Sequence, residues 1–163
     1  MKTLLVMRHA KSSWSNAGMS DFERPLNNRG QADAPRMGKL LRREDLVPDL
    51  IITSTAKRAW QTAEAVAYAS GYEEDVREEE KFYLAAPVTY INVVKKVDDR
   101  YERVMVVGHN PGISELITVL TGAYEGMPTA AIGVVTLPID SWSALSRKAG
   151  GDLKDFWVPR EVS

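Results

Sequence analysis

Three stretches of the chain are unbroken runs of large aliphatic residues: residues 4–7 (Leu-Leu-Val-Met), 50–52 (Leu-Ile-Ile) and 104–107 (Val-Met-Val-Val). Runs this short and this apolar predict strands buried on both faces, the kind found in parallel sheets. A fourth strand is expected over residues 131–139. Between these runs the period changes. In 29–43, Ala32, Met37, Leu40 and Leu41 recur near helical spacing, with Arg36, Lys39, Arg42 and Arg43 mostly on the other faces. Pro35 predicts a start or a kink there. An alanine-rich helix is expected from 56 to 67, running out near Gly71. Residues 87–97 present Ile91, Val94 and Val97 on one face, and 113–120 form a helix closed by Gly122. Residues 73–80 are acidic with Val76 as their one apolar member, so they read as an exposed connection and edge strand. The tail, with Trp142, Leu145, Phe156, Trp157 and Val158, predicts a further edge strand or hairpin. Strands alternating with helices predict an α/β fold: a three-layer sandwich with a mainly parallel central sheet.

Composition narrows this picture. With 163 residues, one domain over 1–163 is expected. The formal net charge is −1, with both signs scattered, which argues against nucleic-acid and membrane partners. There is no cysteine, which excludes disulfides, thiolate nucleophiles and cysteine metal sites. The run after Met1-Lys2-Thr3 is too short for a signal-peptide core and is broken by Arg8. A cytoplasmic monomer is the expectation.

Chemistry concentrates where the apolar runs stop. The first run ends in Arg8-His9 and the third in Gly108-His109-Asn110; the second ends in Thr53-Ser54-Thr55 with Arg58 in the helical turn that follows. An unpaired arginine cannot stay in an apolar sheet, so Arg8 needs a fixed anion or must leave the core. In open α/β sheets, ligands bind outside the carboxyl ends of the strands. Arginine suits bidentate contact with phosphate, and a cation in a helix's first turn is disfavoured unless an anion joins it. Asn110 is expected to cap the next helix with Pro111 at its first position, and the 53–55 hydroxyls to cap the helix after the second strand. The glycine- and proline-containing stretch 12–28 reads as a long loop lining the site, with Arg24 at its end. Two arginines, both histidines and a helix N-terminus can then surround one tetrahedral dianion. A metal is the rival use of two histidines, but carboxylates at ligand spacing are missing from both segments, so phosphate is favoured, with no metal and no cofactor.

Arg8-His9-Ala10, Arg24-Pro25-Leu26 with Arg29-Gly30, Ser54 through Arg58 to Gln61-Thr62-Ala63-Glu64, and Val106-Val107-Gly108-His109-Asn110 together resemble the histidine phosphatase superfamily, which is phosphoglycerate-mutase-like in fold. Order and approximate spacing match over nearly the whole chain. The short length and the Arg-Pro-Leu variant are most similar to SixA-type phosphohistidine phosphatases. The resemblance implies that His9 carries the phosphoryl group and that Arg8, Arg58 and His109 bind it, with Arg24 assisting and Asn110 in the binding set. Glu80 stands roughly where larger relatives keep a general-acid glutamate; the alternative is one more charge in an acidic edge. Ala10 departs from the glycine common in the motif. The expected substrate is a phosphorylated protein, a histidine-containing phosphotransfer domain, or else a small phosphorylated metabolite. A non-catalytic phosphate-binding module on the same fold is the reading from another class.

Overall fold

A computed structural model describes residues 1–162 of the chain. The uninterrupted apolar runs are its strands: β1 (Lys2–Arg8), β2 (Leu50–Ser54), β4 (Arg103–Gly108) and β5 (Ile132–Leu137). The acidic stretch supplies the short β3 (Arg77–Glu79), and the aromatic tail supplies β6 (Asp152–Trp157). They form one six-stranded sheet in the order β3-β2-β4-β1-β5-β6. The β3-β2, β2-β4 and β4-β1 pairs are parallel, and the β1-β5 and β5-β6 pairs antiparallel. β3 and β6 are the two edges, as the polarity of the first and the position of the second predict.

Because alternate residues of a strand face opposite ways, each central strand feeds two cores. Leu4, Val6, Ile52, Val104 and Val106 face one side. They pack with Tyr90, Ile91 and Val94 of α3 (Pro87–Val94) and with Ile113, Leu116 and Ile117 of α4 (Gly112–Thr121). Leu5, Met7, Ile51, Met105 and Val107 face the other side. They meet Ala34, Met37 and Leu41 of α1 (Asn28–Arg43) and Ala59, Ala63 and Val66 of α2 (Lys57–Ser70). The result is the three-layer α/β sandwich that the pattern predicts. None of the helices among the described residues is long and apolar enough to cross a membrane.

Four local expectations are corrected. α1 runs on through Pro35 and starts earlier, where the Asn27 side chain accepts the Gly30 N–H at 2.9 Å. α3 ends at Val94, although Val97 stays buried after a final 3₁₀-type turn. α4 begins at Gly112, not with Asn110 as its cap, since the Asn110 amide is engaged elsewhere. α2 has no side-chain cap; among the 53–55 hydroxyls, that of Ser54 is turned toward His109.

Candidate active site

Parallel register fixes the frame of the site. Arg8, the last residue of β1, pairs with Gly108, the last of β4, and the His9 N–H donates to the Gly108 carbonyl at 3.1 Å. β2 lies on the far side of β4, so the ends carrying His9, His109 and Ser54 lie side by side on one rim of the sheet. The two imidazoles are 5.2 Å apart, centroid to centroid.

His9 is 7 % exposed. Its Nδ1 lies 2.7 Å from the carbonyl of Ala10, an acceptor, so Nδ1 carries the proton and donates. Nε2 therefore holds a lone pair, toward which Arg58 Nε donates over 3.4 Å. Burial, more than anything else, pushes the His9 pKa down to about 3; the Ala10 carbonyl resists, while His109, Arg58 and Arg8 add to the fall. The backbone is fixed as well. Thr62 Oγ1 accepts the Ala10 N–H at 2.9 Å and donates to the Arg58 carbonyl at 2.7 Å, tying the turn after His9 to the first turn of α2. That contact gives the Ser54…Arg58…Thr62 spacing a physical meaning.

His109 is held through Nε2, 2.8 Å from Ser54 Oγ. Ser54 Oγ already accepts the Ala56 N–H at 3.2 Å, so its own proton is free to go to Nε2. In that tautomer Nδ1 of His109 is a donor, and it is buried with no partner in the protein. Burial again leads in pushing the pKa down, here to about 4, followed by Arg58, with Asp21 pulling the other way. Tyr83 packs edge-on against this ring at 5.4 Å.

The arginines differ in how much of their charge is committed. Arg58, 4 % exposed, donates from Nη1 to the Asp21 carbonyl at 2.7 Å and from Nη2 to Asp21 Oδ2 at 3.1 Å. Arg24 donates to Asp21 Oδ1 at 2.8 Å, to the Ser13 carbonyl at 3.0 Å and to Ser12 Oγ, and stacks on the Trp14 ring. It is 8 % exposed, so it is no solvated loop charge. Arg8 reaches only a carbonyl, that of Met127 at 3.0 Å; its Nε is buried and unpartnered, and it makes no ion pair among the described residues. Burial and then Arg58 lower its pKa. Asp21 is pushed down to about 2, chiefly by the Tyr83 hydroxyl that donates to it and then by Arg24 and Arg58, against the effect of burial.

These groups line a cleft of about 270 Å³ with four cations, Arg8, Lys11, Arg24 and Arg58, against the single carboxylate of Asp21. Two neutral histidines add no charge. Such an excess in a chain of net charge −1 fits a polyanionic ligand such as a phosphoryl group.

One of the expected site residues falls elsewhere, and another is present but committed to the protein. Glu80 is exposed at the start of the short 3₁₀ turn Glu80–Phe82 and is not among the residues lining the cleft. Phe82 of that turn is inserted into the core, and it is Tyr83 that reaches the His109 ring. Asn110 does line the cleft, but its amide is spent: Nδ2 donates to the Met127 carbonyl at 3.0 Å and Oδ1 accepts from Ser114 Oγ at 2.6 Å. It shares the Met127 carbonyl with Arg8 and so positions that arginine. Asp21, Tyr83, Lys11 and the Ser54–His109 contact were not singled out from sequence. The loop around Asp21 has no periodicity, and its position three residues before Arg24 was the one available signal.

Residues 4–82 match the model of the histidine phosphatase superfamily (branch 1). An uncharacterized protein of Mycobacterium tuberculosis is 34 % identical over 165 residues, covering 94 % of this chain and 100 % of that one. A crystal structure assigned as the phosphohistidine phosphatase SixA of Agrobacterium tumefaciens superposes with a TM-score of 0.83 at 29 % identity, over 97 % of this chain and 98 % of that one. Its counterpart from Nakamurella multipartitia gives 0.84 at 26 % identity, over 97 % and 96 %. The chain belongs to the histidine phosphatase superfamily. Its class is phosphatase, a hydrolase of phosphorylated substrates.

Proposed function

We propose that the protein removes the phosphoryl group from phosphohistidine in another protein, through a phosphohistidine of its own at His9. The observation that carries this reading is the buried His9, neutral at physiological pH, with its Nε2 lone pair turned to Arg58. In the first step Nε2 attacks phosphorus in line, the P–Nε2 bond forms, and the substrate's P–N bond breaks with its electron pair on the departing imidazole. N–H groups of Arg8 and Arg58, with Arg24 behind them, take the equatorial oxygens, and His109 Nδ1 is positioned to donate to one of them. In the second step water attacks phosphorus. The P–Nε2 bond breaks, its electron pair returns to Nε2, and water's proton leaves with phosphate or solvent. Guanidinium groups supply the positive charge that a metal supplies in other phosphoryl-transfer sites, so the scheme runs without one.

Two features favour a phosphohistidine protein over a small metabolite. The one carboxyl lining the cleft, Asp21, has a pKa of about 2 and stays ionised, so it cannot protonate an alkoxide leaving group. A phosphohistidine already protonated on its far ring nitrogen leaves as neutral imidazole and needs no acid from the enzyme. The cleft is also smaller than the roughly 300–1,000 Å³ of pockets that enclose small ligands, and suits a side chain presented on another folded surface. The test is kcat/KM, in the presence of EDTA, for a phosphohistidine-containing phosphotransfer domain against a panel of sugar and nucleotide phosphates. The domain should be preferred by orders of magnitude. Preference for a metabolite, or activity lost to EDTA and restored by a divalent ion, would overturn the reading.

A further inference from the structure

Next to the cleft lies a second, larger groove of about 680 Å³ between the edge strand β3 and helix α3. Strand alternation turns Val76 toward the α1/α2 side and Arg77 and Glu79 toward α3, and Lys81 continues that row after the strand. Lys95 and Lys96, just past the end of α3, close the groove from the other side. Four cations, Arg77, Lys81, Lys95 and Lys96, thus face one carboxylate, Glu79. None of the four makes an ion pair among the described residues. A lysine beside an edge strand also guards against edge-to-edge pairing, but that role does not account for Lys95 and Lys96, which come from the turn after α3.

The groove and the cleft are joined by one short piece of chain. Lys81 lines the groove and Leu84 lines the cleft, three residues and so at most about 11 Å apart. Leu84 is 60 % exposed and holds a left-handed φ of +52°, a conformation a leucine avoids unless its surroundings impose it. Buried Phe82 precedes it. After it, the Ala85 backbone packs so closely on Gly112 that a Cβ there would come within 2.9 Å of the Ala85 carbonyl carbon. The fold therefore fixes an exposed apolar knob on the ridge between an anion cleft and a basic groove.

We infer that the β3–α3 groove is a docking site for an acidic segment of the phosphorylated protein whose phosphoryl group enters the cleft. The identity of that partner rests on the function proposed above; the charge preference of the groove does not. Exposed charges of this kind act mainly on encounter rate and partner choice, and their effect fades with salt. They lie outside the reach of a small substrate, so they separate partner recognition from chemistry.

The test uses the full chain and the variant Lys81→Glu/Lys95→Glu/Lys96→Glu. With the cleft saturated by inorganic phosphate, a fluorescein-labelled peptide of ten glutamates should bind the native protein at low salt, and at least tenfold more weakly the variant. Equal binding, or none to either, overturns the inference. In turnover, kcat/KM for the phosphohistidine domain should fall at least tenfold while that for phosphoramidate stays within twofold. An equal fall for both substrates also overturns it. If the native protein hydrolyses phosphoramidate but not the phosphohistidine domain, the proposed substrate is wrong, and the peptide measurement still decides the groove. Should the charge reversal prevent folding, the Lys→Gln triple variant carries the same comparison, with loss of peptide binding again expected.

Discussion

His9 and His109 are the two histidines of the chain, and folding lowers the pKa of both, to about 3 and about 4. An unfolded histidine titrates near 6.5, so between pH 6.5 and 5 the unfolded chain takes up protons that the folded one refuses. Stability must therefore rise with pH across this window and be lost as pH falls. Linkage puts the loss from pH 6.5 to 5 at about 1.5 kcal/mol for each histidine. Urea unfolding at the two pH values measures it, and His9→Ala should remove about half. The arrangement around Asn110 leads to a different expectation. Asn110→Ala removes one of the two side-chain donors that hold the Met127 carbonyl and frees the Ser114 hydroxyl, so the acceptor that anchors Arg8 is held less firmly. Loss of one such hydrogen bond, about 1–3 kcal/mol, predicts a fall in kcat/KM of about tenfold, with inhibition by inorganic phosphate weakened in proportion. Glu80→Gln, outside the cleft, should leave kcat/KM within about twofold.

Among the elements, α1 and α2 pack closely side by side, and small residues allow it. Gly38 of α1 faces α2 where an added Cβ would stand 2.8 Å from the Val66 carbonyl oxygen and 2.9 Å from the Ala69 Cβ. Neither neighbour can swing away, since one is backbone and the other has no rotamer. Gly38→Val should cost about 1–3 kcal/mol by overpacking, read from the urea midpoint at constant m-value. The clash falls about two turns beyond Arg58 along α2, so kcat at low temperature should change little. The elements were legible because burial on both faces leaves an unmistakable apolar run, as at 4–7 and 104–107. What stayed illegible depends on contacts between segments remote in sequence. Asn110 has the residue type of a helix cap, and only the Met127 carbonyl, 17 positions on, shows that it serves Arg8. Glu80 matched an approximate position in an acidic stretch, while the carboxylate that enters the cleft, Asp21, comes from a loop whose path is set by Arg24 and Arg58.

At the scale of the whole molecule, a chain of net charge −1 gathers four cations around one carboxylate at the rim where three parallel strand ends converge. Parallel strands bring that rim into being. Their order, with β4 between β1 and β2, puts both histidines and the Arg58 turn within one cleft. Burial keeps His9 neutral and the neighbouring arginines add to that effect, while the same arginines favour an anion; in the proposed mechanism binding and activation therefore share one setting. The central claim is that His9 Nε2 carries the phosphoryl group. It is tested by mixing the protein with a ³²P-labelled phosphohistidine domain, quenching in base within milliseconds, and mapping the labelled residue. The account predicts a label that is stable to base, labile to acid and located on His9, and absent from His9→Ala although that variant still binds inorganic phosphate. A label on any other residue, or one that persists in His9→Ala, would contradict it.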